Sequence, residues 1–255
     1  QMEELRTKEI ISRFIKQTNL NIIDIGGGTG HYAFWLYQNG HQVTLLDLSP
    51  ENIQWANEYA RTNNQSLKEI ALGDAKNLLY TNDSFDLALM FGPLYHLVNR
   101  PDRVQALKEA YRILKPGGIL IAAVISRYAS MLDGFRRNLI ADEIFMDIII
   151  NDINTGIHRN PTENPEYFTT AYFHKLDEIK AEMTEAGFQS IELLSIEGAG
   201  WLIENVHQKL ADDNQRQAIL KLIRDVESDE NIIAMSPHIM AIGYKQTGDN
   251  FFPKW

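Results

Sequence analysis

Apolar residues recur along this chain in two ways, at helical spacing and in short continuous runs bounded by turn residues. From Glu3 to Lys16, Leu5, Ile10, Ile11, Phe14 and Ile15 fall near one face, which predicts an amphipathic helix. The isoleucine-rich run Asn21 to Ile25 ends in glycines and predicts a buried strand. Thr29 to Gln38 predicts a helix stopped at Asn39–Gly40, and Gln42 to Leu48 a second buried strand. Ser49–Pro50 opens the next helix, with serine at the cap and proline at the first helical position.

The alternation continues with strands at Lys68 to Leu72, Phe85 to Phe91 and Ile119 to Ile125. A helix over Asp102 to Leu114 lies between the last two, stopped by Lys115-Pro116-Gly117-Gly118. Alternating strands and helices predict a doubly wound α/β arrangement, a parallel sheet with helices on both faces. The pattern changes at Arg127. Residues 127–173 read as a helical insertion, punctuated from Asn160 to Pro165, and residues 198–236 as a second one. Between them a helix is expected over His174 to Ala186 and a strand over Gln189 to Ile196. His238 to Lys245 predicts the final strand, and the whole chain, 1–255, is expected to form one domain.

Composition narrows the function classes. The net charge is -10, and basic pairs such as Arg136–Arg137 are isolated, so neither nucleic acid nor an anionic membrane is expected as a partner. No apolar run approaches the roughly eighteen residues that span a bilayer, and Gln1 to Lys16 is too charged for a secretory signal. There is no cysteine, which excludes disulfides, thiolate zinc sites and a cysteine nucleophile. A cytoplasmic protein is expected. His158 and His174 lack metal-ligand spacing, so no metal is expected either.

The candidate chemistry gathers at strand ends. Asp24-Ile25-Gly26-Gly27-Gly28-Thr29-Gly30 follows the first strand and opens a helix. Glycines let a ligand approach the backbone, and helix amides there favour an anionic group. Asp47 closes the second strand about 20 residues after the loop, where an acid can accept ribose hydroxyls. Asp74, in Gly73-Asp74-Ala75 after the third strand, is placed to accept from an adenine amino group. One strand edge thus offers an anion cradle, a ribose acceptor and an adenine acceptor, which together describe an adenosine-cofactor site.

Five segments in this order resemble the class I methyltransferases that use S-adenosylmethionine: Ile22 to Gly30, Leu45 to Ser49, Gly73-Asp74-Ala75, Phe85 to Phe91, and Leu114 to Gly118. The resemblance covers nearly the whole chain. It implies a Rossmann-like, seven-stranded, mostly parallel sheet with an antiparallel last strand. It also implies site roles. Gly26, Gly27, Gly28 and Gly30 would surround the methionine part of the cofactor, with Asp24 beneath them. Asp47 and Leu48 would hold the ribose, and Gly73, Asp74 and Ala75 the adenine. Phe91 and Gly92 would line the sulfonium region. Residues 1–18 resemble the family's N-terminal lid, from which Arg6 and Thr7 would reach the cofactor carboxylate. Gly92 to Leu97, together with Ile125 to Ser130 and Ile196 to Trp201, further resembles bacterial small-molecule methyltransferases.

A methyl transfer to a small-molecule acceptor, leaving S-adenosylhomocysteine, is therefore expected. His96, with Tyr95 beside it, follows the fourth strand and is the candidate base if the acceptor must lose a proton. Arg127, Tyr128, Tyr172 and His31 are further candidates near the site, whereas Phe145, Met146 and Ile148 to Ile150 read as core or interface. The chain is expected to act as a monomer or homodimer, with residues 127–173 either a substrate cap or a dimer surface. A nicotinamide-dependent oxidoreductase is the nearest rival. Its fingerprint places a third glycine where this chain has His31, and the adenine and Lys115-Pro116-Gly117-Gly118 segments favour methyl transfer. The same fold can also serve a non-catalytic adenosyl-binding protein or a dimerisation module.

Overall fold

Local signals and long-range pairing meet first at Ser49. In a computed structural model, which describes residues 1–247, its hydroxyl accepts from the Asn52 amide at 3.1 Å. Pro50 takes the first helical position, as the sequence predicts. The chain runs α1 (Met2–Phe14), β1 (Asn21–Ile25), α2 (His31–Gln38), β2 (Gln42–Asp47), α3 (Pro50–Thr62) and β3 (Glu69–Leu72). It continues through β4 (Phe85–Met90), a short α4 (Pro93–His96), α5 (Arg100–Ile113), β5 (Leu114–Ser126), α6 (Ala129–Arg137) and α7 (Glu143–Thr155). Then follow β6 (Ile157–His158), β7 (Ala171–His174), α8 (Leu176–Ala186) and β8 (Gln189–Ser195). The described part ends with α9 (Val206–Ala211), α10 (Asp213–Val226), α11 (Glu230–Ile233) and β9 (His238–Tyr244). Residues 248–255 of the expected domain lie outside the described residues.

The chain divides into two compact units. One holds residues 14–123, 180–191 and the chain from 241 onward. Its strands lie side by side in the order β3-β2-β1-β4-β5, all parallel. Strand order therefore reverses between β1 and β4, the point where ligands of open α/β sheets bind. β1 is buried from Ile22 to Ile25, and β4 is buried everywhere except at Asp86. Such continuous burial belongs to a sheet covered on both faces, with no polar side left over. β9 runs antiparallel beside β5: the Gly117 amide donates to Lys245 O, and the Lys245 amide to Gly118 O, each at 2.9 Å.

A buried ion pair fastens the late-returning α8 within this unit. Arg103 on α5 donates from Nη2 to Glu182 Oε1 at 2.7 Å, and both side chains are 1% exposed. Its Nη1 donates to Leu97 O and Val98 O at 3.0 and 2.7 Å, so the same guanidinium holds the loop that follows α4.

The other unit comprises residues 1–13, 124–179 and 192–240. Here the structure corrects the sequence reading. Nine strands pair among the described residues rather than seven. The extra two are the antiparallel pair β6 and β7, inside the stretch 127–173 that was expected to be helical. His174 ends β7 instead of opening a helix, and α8 begins at Leu176. Helices account for much of the rest of that stretch, and Phe145, Ile148 and Ile149 of α7 form a core with Tyr167, as expected for core positions.

Candidate functional site

The glycine loop after β1 is shaped by what lies behind it. A Cβ on Gly27 would stand 2.5 Å from the Asp24 carboxyl and from Leu45, so only glycine fits there. Gly28 has φ +59 and open space around its missing side chain, leaving its backbone free toward a ligand. Its amide donates to Asp47 Oδ2 at 2.7 Å. Asp47 Oδ1 accepts from the Ser49 amide at 2.9 Å and from Asn52 Nδ2 at 3.0 Å. The acid at the end of β2 is thus fixed by three donors, and a carboxylate's lone-pair sites outnumber them, so capacity toward the cleft remains.

The cleft has a volume of about 550 Å³. Of the residues predicted from sequence, Gly26, Gly28, Asp47, Leu48, Gly73, Asp74, Ala75, Gly92, Tyr95 and His96 line it together. Asp74 is held by its own turn, with Oδ1 accepting from the Lys76 amide at 2.9 Å. Leu48, 68% exposed, presents an apolar surface beside these polar groups. Gly27 and Gly30 do not line the cleft; they pack against Asp24, Leu45 and Phe34 and shape the turn. Phe91 stands outside the lining as well, edge-on to Tyr32 at 5.2 Å.

Other expectations are placed elsewhere. Arg6 is fully buried, and its guanidinium donates to Ile196 O at 3.0 Å, to Glu9 at 2.6 Å and to Glu227. All three of its nitrogens are engaged, two in an ion-pair cluster with Glu9 and Glu227 that Arg13 extends and one on the Ile196 carbonyl, which corrects its expected reach to a cofactor carboxylate. Thr7 is buried on the same helix. Arg127 is likewise structural, bonded to Glu178, Phe173 O and the Tyr172 hydroxyl. The sequence reading missed Leu46, Ser49, Asn52, Pro93 and Leu97 as lining residues. Asn52 had a signal, since the third helical residue after a cap at a strand edge faces the cap's own surroundings.

Asp24 lies beneath the loop, fully buried, and neither carboxyl oxygen has a hydrogen-bond partner among the described residues. Burial and the neighbouring Asp47 charge push its pKa up to about 7, with the Ala33 amide nearby holding it lower than burial alone would. No Lys or Arg lines the cleft. A strand-edge pocket with Asp47 and Asp74 in its wall and Asp24 under its floor suits a ligand of net positive charge. It offers a pyrophosphate no cationic side chain. These residues fit an adenosyl sulfonium: Asp47 for the ribose, Asp74 and Ala75 for adenine, and the Asp24-backed loop for the cationic methionine portion.

His96, at the end of α4, stands on the cleft wall with its ring 4.7 Å from that of Tyr95. Desolvation lowers its pKa below the usual imidazole value, outweighing the Asp47 charge that raises it. The ring is therefore neutral and basic at neutral pH. His31 starts α2 and does not line the cleft. Elsewhere, Glu3, Glu197 and His238 offer ligand atoms within 4.8 Å of one another, a grouping from distant segments that sequence spacing could not reveal. His238 Nδ1 lies 2.6 Å from Glu197 Oε1, and that carboxylate helps raise the imidazole pKa to about 9, so the two form an ion pair.

The sheet order and the strand-edge cleft lined by Asp47 and Asp74 define a class of fold shared by many cofactor-binding enzymes. A family model described as a methyltransferase domain matches residues 23–122. Over 203 residues the chain is 31% identical to the ubiquinone/menaquinone biosynthesis C-methyltransferase UbiE of Rickettsia felis, covering 75% of this chain and 77% of that one. A 2-methyl-6-phytyl-1,4-hydroquinone methyltransferase of rice is 32% identical over 119 residues, 46% of this chain and 34% of the relative, so the chain spans about a third of that relative's length. A solved SAM-dependent methyltransferase from Methanosarcina mazei superposes with a TM-score of 0.62 at 20% identity, over 93% of this chain and 97% of the other, which shows the fold. The chain belongs to the class I S-adenosylmethionine-dependent methyltransferase family.

Proposed function

We propose that this protein transfers a methyl group from S-adenosylmethionine to a small-molecule acceptor that loses a proton. The charge of the cleft carries the reading: two aspartates, Asp47 and Asp74, in a lining with no Lys or Arg favour a cationic adenosyl ligand over a dinucleotide. When bound, the cofactor supplies an electrophilic methyl group on sulfur, and the protein's task is alignment and exclusion of water. Asp47 and Asp74 anchor the nucleoside end. Pro93 and Gly92 bound the side where the acceptor enters, and a ring nitrogen of His96 takes the acceptor's proton as the new bond forms. Tyr95 orients the acceptor.

The rice relative is named for a hydroquinone acceptor and the Rickettsia relative for C-methylation in quinone biosynthesis. The first name supports an acceptor with an ionisable hydroxyl, and the second supports methylation at carbon. A cytoplasmic location is supported by the absence of cysteine, and no helix among the described residues is long and apolar enough to cross a membrane. A net charge of -10 supports a partner other than nucleic acid.

The test is calorimetric titration of the full chain with S-adenosylmethionine, S-adenosylhomocysteine and NADH. Binding of the two adenosyl ligands and not of NADH is expected. Binding of NADH alone would overturn the reading, and so would binding of none of the three.

A further inference from the structure

A second cavity, of about 440 Å³, is built wholly from the unit that carries the insertions. Its walls include the rings of Phe145, Tyr167, Phe168, Phe173 and Trp201. This aromatic content is far greater than the strand-edge cleft offers, where Tyr95 and His96 are the ring-bearing residues. Aromatic walls favour a flat apolar body, which they hold by stacking and edge contacts.

The polar groups of the cavity are mostly engaged with one another. Asp133 and Glu166 both pair with Arg137, at 3.0 and 2.6 Å, and Glu197 pairs with His238 at 2.6 Å. Ser130 donates to Asp152 at 2.6 Å, and His158 lies between Asp152 at 2.7 Å and Tyr167 O at 2.6 Å. Arg136 differs. Its guanidinium lies over the Trp201 ring, 5.7 Å from the centroid, and no carboxylate among the described residues lies within 4.0 Å of it. A cation-π contact at this distance keeps the guanidinium beside the ring and leaves its N–H donors available for bidentate capture of a planar anion.

The backbone at Phe168 adds a feature independent of charge. It has φ 65 and ψ 176, a region that is essentially reserved for glycine. Phe168 is nonetheless 45% exposed and lines the cavity, so the strain is not offset by full burial of the residue. Asn160 enforces the conformation, donating from Nδ2 to Asn164 O at 2.7 Å and to Phe168 O at 3.1 Å. Strain of this kind, held in place by a side-chain clamp, accompanies residues presented to a ligand.

We propose that this cavity is a binding site for a small aromatic anion, its ring held among Phe168, Phe173 and Trp201 and its carboxylate or similar group held by Arg136. The site stands on residues of one unit and does not depend on the methyl-transfer reading. The probe is 2-naphthoate, with the isosteric neutral 2-naphthamide as control, titrated calorimetrically into the full chain. The naphthoate is expected to bind at one site at least about tenfold more tightly than the amide, a difference on the scale of one charge-assisted hydrogen-bonded contact. In Arg136→Gln, an exposed position whose substitution is expected to leave the melting temperature within a few degrees of the parent's, the two probes are expected to bind within about twofold of each other. Phe168→Gly, which accepts the same backbone conformation, is expected to weaken both probes severalfold while the protein stays folded. Absence of naphthoate binding, equal affinity for acid and amide, or a preference unchanged by Arg136→Gln each overturns the assignment. Saturating S-adenosylhomocysteine is expected to leave naphthoate binding in place; competition would place the probe in the strand-edge cleft and also overturn it.

Discussion

The Gly28 amide and the Asp47 carboxylate, 2.7 Å apart, tie the glycine loop to the end of the neighbouring strand. The acid that is to receive the ribose is therefore the same acid that sets the loop. Asp47→Ala removes a partner from the Gly28 and Ser49 amides and from Asn52 as well as the ribose acceptor. Loss of a hydrogen bond to a charged group costs about 1.5–3 kcal/mol. Affinity for S-adenosylhomocysteine is expected to fall at least about tenfold by calorimetry, and an unchanged dissociation constant removes Asp47 from the site.

Asp24 makes a prediction about pH. Its folded pKa of about 7 lies above its ordinary 3.8, so the folded protein binds this proton more readily than the unfolded chain does. The group's contribution to stability is accordingly most favourable below about pH 3.8, declines as pH rises toward 7, and is flat above that. The ionised form costs up to about 4 kcal/mol. Asp24→Asn removes the titration. The variant's melting temperature relative to the parent is expected to be several degrees more favourable at about pH 8 than at about pH 5 in the absence of ligand. An equal difference at both pH values would show that Asp24 titrates normally.

His96 gives the kinetic counterpart. With its pKa held below the usual imidazole value, the ring is in its basic form at neutral pH and loses that form as the solution becomes more acidic. Turnover is expected to be level near neutrality and to fall on the acid side. His96→Asn is expected to lower kcat by about a hundredfold or more and to abolish the His96 limb of the profile, with cofactor affinity preserved. A variant with the parent's rate and pH profile would leave the base assignment without support.

The parts of this molecule legible in its sequence are those fixed locally. The glycines after β1, the Ser49–Pro50 cap and the Asp47 strand end each carry their reason within a few residues, and the structure has them where the pattern predicts. The pair β6 and β7 escaped because β6 is two residues long, too short for any period-two pattern, and its partner lies beyond a loop rich in asparagine and proline. Arg6 escaped for a different reason. Its position on an amphipathic helix says nothing of Glu227, which meets it from 221 residues away. The aromatic cavity with Arg136 over Trp201 was equally invisible, since its walls come from segments between Ile125 and His238 that no spacing rule connects.

The Arg103–Glu182 pair has a consequence for synthesis. Arg103 leaves the ribosome with α5, but the carboxylate that neutralises it comes 79 residues later, after the whole of the intervening insertion. Until then the guanidinium has Leu97 O and Val98 O to meet but not Glu182, and a charge without that acid costs more to bury. The buried pair is therefore completed only after Glu182 emerges, while the bonds from Arg103 to the loop behind His96 are available from the start. The cofactor edge is encoded early and finished late: a chain ending at Ala123 would carry the five parallel strands without the carboxylate that meets Arg103.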